Sequence, residues 1–305
     1  METKDRLSEI AGGHDRPAFE LLLSCPYGLS PSEVSVVFDQ TYDRIPHPDV
    51  TLENSISEIW DKRVQKNPSL YNGLKFRYGG HTLSGRADSF QKTDFCLHLG
   101  LTDYRTFMGT NLNPLWERFL IPSEDDWRRC QHTSNPLGNG AIVETSDQEI
   151  VVLQRSTNVG EFPGHFVFPG GHPELASEIV VYHVEPSMPE DKLGQTSVLD
   201  VEQACLYWYI PEVLNVRSAA FFFIKCSLQS KEIQQLYGSA QDGYESTQLY
   251  TMSMSEVDAA TSKMPGCHQG GFALYKLMVM TMCFTSMKKL ITHVGFTSLA
   301  LLLSS

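Results

Sequence analysis

Hydrophobic positions recur at different spacings along this chain, and the spacings divide it into elements. Between Asp49 and Gln65 the apolar residues Ile56, Ile59, Trp60 and Val64 fall three or four apart, the period of a helix face, with Thr51 or Asn54 as candidate N-caps. Leu74–Tyr78 and Phe95–Leu101 alternate apolar and polar side chains and predict two strands, separated by a polar turn over Gly79–Lys92. Leu101–Asn111 predicts a strand end, a short helix capped by Thr102 or Asp103, and a glycine stop. Residues 1–134 are therefore expected to form an N-terminal α+β extension.

The turn-rich run Asn135–Gly140 marks the expected boundary. Beyond it, Ala141–Glu144 and Ile150–Arg155 predict a hairpin around Ser146-Asp147, and Phe166–Phe168 a third strand. Ala219–Leu228 is apolar enough to be a central strand, buried on both faces. A helix over Ser230–Leu236, a strand over Gln248–Met252 and a helix starting near Gly271 complete an α/β layered domain with no internal repeat. After Lys276 the character changes: residues 277–305 form an apolar tail interrupted by Lys288 and Lys289. Its uncharged part, Leu290–Leu303, is shorter than the roughly 20 residues a spanning helix needs, so no membrane segment is expected.

The charge balance narrows the ligand. With 24 Lys and Arg against 36 Asp and Glu the formal charge is -12, which repels a phosphate backbone and argues against nucleic acid. A phosphorylated small molecule remains open to such a chain, provided a few cations and backbone amides are concentrated in one place. The seven cysteines show neither paired nor metal-ligand spacing and read as reduced thiols. With no apolar leader in Met1–Arg16, a cytoplasmic or nuclear location is expected.

Phe166–Glu174 reads Phe-Val-Phe-Pro-Gly-Gly-His-Pro-Glu, a strand entering a double-glycine turn that ends in an acid, the build of a ligand-pocket edge. An ordered set of segments accompanies it: Leu101-Thr-Asp-Tyr104-Arg-Thr-Phe-Met-Gly-Thr-Asn111, Asn135-Pro-Leu-Gly138, Arg155-Ser156, Lys225-Cys-Ser-Leu228 and Glu245-Ser-Thr247. In order and spacing these resemble the uridine diphosphate glucose pyrophosphatase branch of the Nudix hydrolase superfamily. The resemblance implies a Nudix-type α/β/α sandwich over residues 135–276 and an N-terminal extension that helps bind the sugar nucleotide. It further implies magnesium-dependent cleavage of UDP-glucose or UDP-galactose to UMP and the sugar 1-phosphate. The substrate-binding residues it implies are Tyr71, Tyr104, Arg155, Gly160, His172 and Glu174.

In chemical terms, Arg155 can grip a phosphate with two N–H groups, and Tyr71 and Tyr104 can stack on a base or pack against a sugar. Each is, without the resemblance, more commonly a strand-end arginine or a half-buried core tyrosine. His172 and Glu174 stand at the double-glycine turn, whereas at position 167 this chain has Val where related chains tend to place an acid. Cys267 and His268 receive no role.

One part of the pattern is missing. The superfamily holds its metal with glutamates three and four apart on a helix after the turn, on one face of that helix. Here only about 44 residues, Leu175–Ser218, separate the turn from the strong strand, and they contain no Glu-x-x-Glu-Glu. Glu202 and Glu212 are separated by an aromatic run and Pro211, which breaks a helix, so they are expected to point to unrelated places. The sandwich is thus expected to be incomplete, with neither catalytic residues nor metal ligands identified. The alternative to an active hydrolase is a catalytically silent isoform that at most binds UDP-sugars.

Overall fold

The computed structural model describes residues 19, 22, 23, 29, 31–84, 94–157, 159, 161–172, 199–209, 217–238 and 246–281. The chain is α/β. Among these residues two sheets form, each backed by helices.

The first sheet has the order β1-β3-β2, with β1 (Val34–Phe38) parallel to β3 (Asp94–Asp103) and β2 (Leu74–Ser84) antiparallel to it. β1 was not anticipated, although Val-Ser-Val-Val-Phe is strand-prone throughout. β2 also outruns its expected end at Tyr78. Gly79-Gly80 sits at a bulge, where the register with β3 shifts and Gly80 takes φ 117, a left-handed value that favours glycine. The glycine pair that read as a turn therefore bends a strand that continues through His81–Ser84. Helix α1 (Val50–Lys66) is capped by Asp49, not by Thr51 or Asn54: its carboxylate accepts the amides of Thr51 and Leu52 at 2.9 and 3.2 Å. Helix α2 (Tyr104–Gly109) follows β3 directly, and of the two expected caps Asp103 is the one used.

The second sheet runs β10 (Ser246–Met252), β5 (Ile150–Arg155), β4 (Gly138–Glu144), β9 (Arg217–Cys226), β8 (Leu199–Tyr209), with β6 (Phe166–Val167) beside β5 and β7 (Gly170–Gly171) beside β4. β4 (Gly138–Glu144) and β5 (Ile150–Arg155) leave the expected turn as a hairpin but pair only at its base, Glu144 with Ile150. Above that point the arms part. β6 (Phe166–Val167) pairs with β5 and β7 (Gly170–Gly171) with β4, so the double-glycine turn fills the fork. β9 (Arg217–Cys226) is central as expected, parallel to β4 on one side and antiparallel to β8 (Leu199–Tyr209) on the other. The stretch in which a metal helix was sought thus contributes an eleven-residue strand. Its run Cys-Leu-Tyr-Trp-Tyr prefers a pleated surface, which explains the outcome.

Helix α3 (Ser230–Gly238), β10 (Ser246–Met252) and α4 (Met254–Ala260) follow, the last closed by a capping box between Ser253 and Glu256. Helix α5 spans 266–281, starting five residues before the expected point because Pro265 opens it. It runs on through 276 into the expected tail, with Leu277 and Met278 buried. No helix among the described residues is long and apolar enough to cross a membrane.

The core beneath the second sheet joins Ile142 and Val152 from β4 and β5, Phe168, Phe221 and Phe223 from β9, Val257 from α4, and Phe272, Tyr275 and Met278 from α5. Phe221 is clamped between strand and helix, since a Cβ on either Gly140 or Gly271 would come within 2.4 Å of its ring atoms. A second core, with Tyr78, Phe95, Leu97 and Leu99, reaches Leu137 and Ala220 and so touches the second sheet.

Candidate functional site

The double-glycine turn is held from every side. The carbonyl of Pro169 accepts the Ala141 amide at 2.7 Å, and Gly170 and Gly171 pair with Gly140 and Asn139. At Gly170 a Cβ would lie 2.8 Å from Gly140 Cα and against the Asn139 carbonyl, so only glycine fits; at Gly171 it would meet nothing within 4 Å. The Gly171 amide donates to Asn139 Oδ1 at 3.0 Å, which means that a side chain holds this N–H. One step before the turn, the Phe168 amide donates to His268 Nδ1 at 3.1 Å across 100 residues of sequence. That acceptor role fixes the ring's proton on Nε2, and the imidazole packs within 6 Å of the Phe168 and Phe221 rings. His268, assigned no role on sequence grounds, therefore anchors the turn from α5.

Beside the turn stands an aromatic wall. The His172 ring lies 6.2 Å from Phe107, Phe107 lies 6.3 Å from Tyr104, and Tyr104 meets Trp60 of α1 edge to face at 6.1 Å. Tyr104 is placed by its own amide, which donates to Gly73 at 3.0 Å, and Lys75 Nζ lies 5.8 Å from its ring centroid. Burial first, and the nearby Glu161 carboxylate second, push the Tyr104 phenol above its usual range, while Arg63 pulls the other way. Tyr104 is thus protonated at neutral pH and able to donate.

Glu161 ties this wall to Arg155. The half-buried Arg155 donates through Nε to the Glu161 carbonyl at 3.0 Å, and its backbone closes the 156–165 loop through His165 and Gly164. That bond orients the guanidinium, and among the described residues neither Nη group has a hydrogen-bond partner, a geometry suited to gripping a ligand anion.

A buried polar seam sets the wall against the second sheet. Thr102 and Ser134 share a hydroxyl hydrogen bond of 2.5 Å; the Ser134 amide donates to Thr110 Oγ1 at 2.9 Å, and the Asn135 amide donates to Asn111 Oδ1 at 3.2 Å. Asn135, at φ 42, accepts from Ser218 Oγ of β9 at 3.3 Å and donates to the Tyr78 carbonyl at 3.1 Å. Every one of these residues except Tyr78 is a buried polar group, so each bond also avoids a desolvation cost. Two of the quoted motif segments, Leu101–Asn111 and Asn135–Gly138, meet in this seam.

Of the expected site residues, Tyr104, Arg155 and His172 gather around Phe107 and Glu161. Tyr71 lies two residues from the Gly73 carbonyl that holds Tyr104, but is 73% exposed. Gly160 and Glu174, and with them Glu212, lie outside the described residues; Glu202 is placed by its backbone in β8. Val167 is buried in β6. Phe107, Trp60, Lys75, Glu161, Asn139 and His268 were missed. Among the described residues no three His, Cys, Asp or Glu side chains are grouped to hold a metal. Asn139 and His172, the polar side chains at the turn among the described residues, do not fit magnesium, which takes carboxylate and phosphate oxygens.

No family model matches the chain. Among solved structures the MutT protein of Methanosarcina mazei Go1 aligns at 15% identity over 48% of this chain and 94% of its own, with a TM-score of 0.28, too slight a likeness to argue from. The mouse uridine diphosphate glucose pyrophosphatase NUDT22 is 33% identical over 268 residues, 79% of this chain and 83% of the relative; the human protein of that name is 31% identical over 261 residues, 79% and 85%. Nudix hydrolase 9 of Arabidopsis thaliana is 52% identical over 299 residues, covering 90% of this chain and 95% of its own. At that identity and coverage, and with the double-glycine turn seated in the fork of its sheet, the chain belongs to the Nudix hydrolase family.

Proposed function

We propose that the wall from Trp60 to His172 and the Arg155 guanidinium form the binding site for a UDP-sugar, UDP-glucose or UDP-galactose. The reaction of the site is hydrolysis of the diphosphate to UMP and the sugar 1-phosphate. The observation that carries the reading is the run of rings from Tyr104 through Phe107 to His172, with Glu161, whose carboxylate acts on Tyr104, holding the Arg155 Nε through its carbonyl. Aromatic faces take a base or a sugar, and a forked guanidinium takes phosphoryl oxygens. The two mammalian relatives named for UDP-glucose support this ligand class. Magnesium, implied by the resemblance, is assigned no ligand here.

A second reading, binding without turnover, is favoured by the short segment after the turn. It holds no Glu-x-x-Glu-Glu, and its described part is strand β8. Thermal melting with UDP-glucose, followed by quantification of UMP after incubation with magnesium, tests both. A melting-temperature rise with UMP release supports the hydrolase, a rise without UMP the silent binder, and a flat melting curve across UDP-sugars contradicts both.

A further inference from the structure

Two cations project from the same face of β2, at alternate positions, and they are used differently. Arg77 is 2% exposed, and its guanidinium donates to the backbone carbonyls of Tyr42, Tyr78, Cys130 and Thr133. Burial draws its pKa down to about 10. These four acceptors are main-chain carbonyls, so Arg77 ties the first sheet to the 130–133 segment.

Lys75 is 7% exposed and stands at the wall. The pairing of Lys75 with Thr102, and of the Gly73 carbonyl with the Tyr104 amide, brings its ammonium to 5.8 Å from the Tyr104 ring centroid. We propose that Lys75 is the cation by which the N-terminal sheet holds the diphosphate of the ligand, in addition to Arg155 of the second sheet. The inference rests on the UDP-sugar reading of the site and adds to it a residue and a selectivity.

Charge makes such a residue necessary. A chain of net charge -12 repels a diphosphate at long range, and Glu161, close enough to Tyr104 to perturb its phenol, adds an anion at the wall itself. An ammonium held out of bulk water is weakly screened there and acts strongly on a phosphoryl oxygen. Its methylene stem can lie along the site while the charged end meets the ligand. Lys75 then selects for the charged part of the ligand, leaving the uracil and sugar to the aromatic wall.

Calorimetric titration of the full chain in EDTA, with UDP-glucose and with uridine, tests this. Lys75→Met should weaken UDP-glucose about tenfold or more while changing uridine less than about twofold, and Lys75→Arg should stay within about threefold of wild type for both. Lys75→Gln carries the same prediction should the Met variant not fold. Unchanged UDP-glucose affinity in the neutral variants, or equal losses for UDP-glucose and uridine, would overturn the inference. If the wild-type chain binds no UDP-glucose, the reading of the site fails first, a result distinguishable from a wild type that binds and variants that match it.

Discussion

The core beneath the second sheet and the seam between the two sheets are both buried, yet they are built from opposite materials. Under the sheet, Phe168, Phe221, Phe223 and Phe272 interlock, with the His268 ring packed against Phe168 and Phe221. In the seam, Thr102, Thr110, Asn111, Ser134, Asn135 and Ser218 bond to one another and to main chain. Apolar packing is non-directional and supplies most of the free energy of folding. Hydrogen bonds contribute less net stability but demand particular directions, so a polar seam fixes how one sheet faces the other. Tyr104 and Phe107 of the wall belong to α2, which follows the first sheet, and Arg155 and the double-glycine turn belong to the second; the division of labour follows: the core keeps the chain folded, and the seam keeps the site in register.

The largest expected effect tests the core. Phe221→Ala empties the slot between Gly140 and Gly271 and should cost about 3–5 kcal/mol in urea unfolding. A loss under about 1 kcal/mol would mean that the clamp is not packed as described. Asn135→Ala tests the seam. It removes the acceptor of Ser218 and a donor to Tyr78 and places alanine at φ 42, so stability should fall by about 2 kcal/mol. UDP-glucose affinity should fall with it even at temperatures where the variant is fully folded; unchanged affinity in that range would break the contrast between core and seam.

His268→Leu should lose about 1–2 kcal/mol by stranding the Phe168 amide, and His268→Asn, which restores an acceptor, should recover part of it. Equal melting temperatures for the two variants would remove the anchoring role. The smallest effect is at Asp147, which accepts from the Thr145 hydroxyl and from the hydroxyl and amide of Ser230 at the start of α3. Those bonds hold its pKa down at about 2, well below the ordinary aspartate range. A depressed folded pKa stabilises above the unfolded value, so this contribution is complete above about pH 4 and fades as the pH falls towards 2. Melting temperature measured from pH 5 to pH 2 should fall slightly more steeply for wild type than for Asp147→Asn.

The periodic elements were legible in the sequence. α1, the β4–β5 turn, β9 and α3 each carry their own signal within a dozen residues, and the structure places them with small shifts at the ends. What could not be read was whatever depends on partners far along the chain. Asn135 was marked as a turn residue and as part of a motif segment, but its bonds in the seam were not legible, because Ser218 and the Tyr78 carbonyl are 83 and 57 positions away. His268 showed nothing beyond a histidine beside a cysteine, since its partner amide is 100 residues distant. Gly79-Gly80 misled because a glycine pair suits a bulge as well as a turn, and only the cross-strand partner His98 decides between them. The site was half legible: Tyr104 and His172 came from the motifs, whereas Phe107, which joins them, and Lys75 beside them are defined by packing.

The central claim is that this wall and Arg155 recognise a UDP-sugar, and the most direct measurement is titration of UDP-glucose into wild type and Arg155→Met in EDTA, with melting curves run alongside. Saturable binding by wild type, about tenfold weaker in the variant at an unchanged melting temperature, is the predicted result. No binding by wild type, or equal affinity in the two proteins, would contradict it.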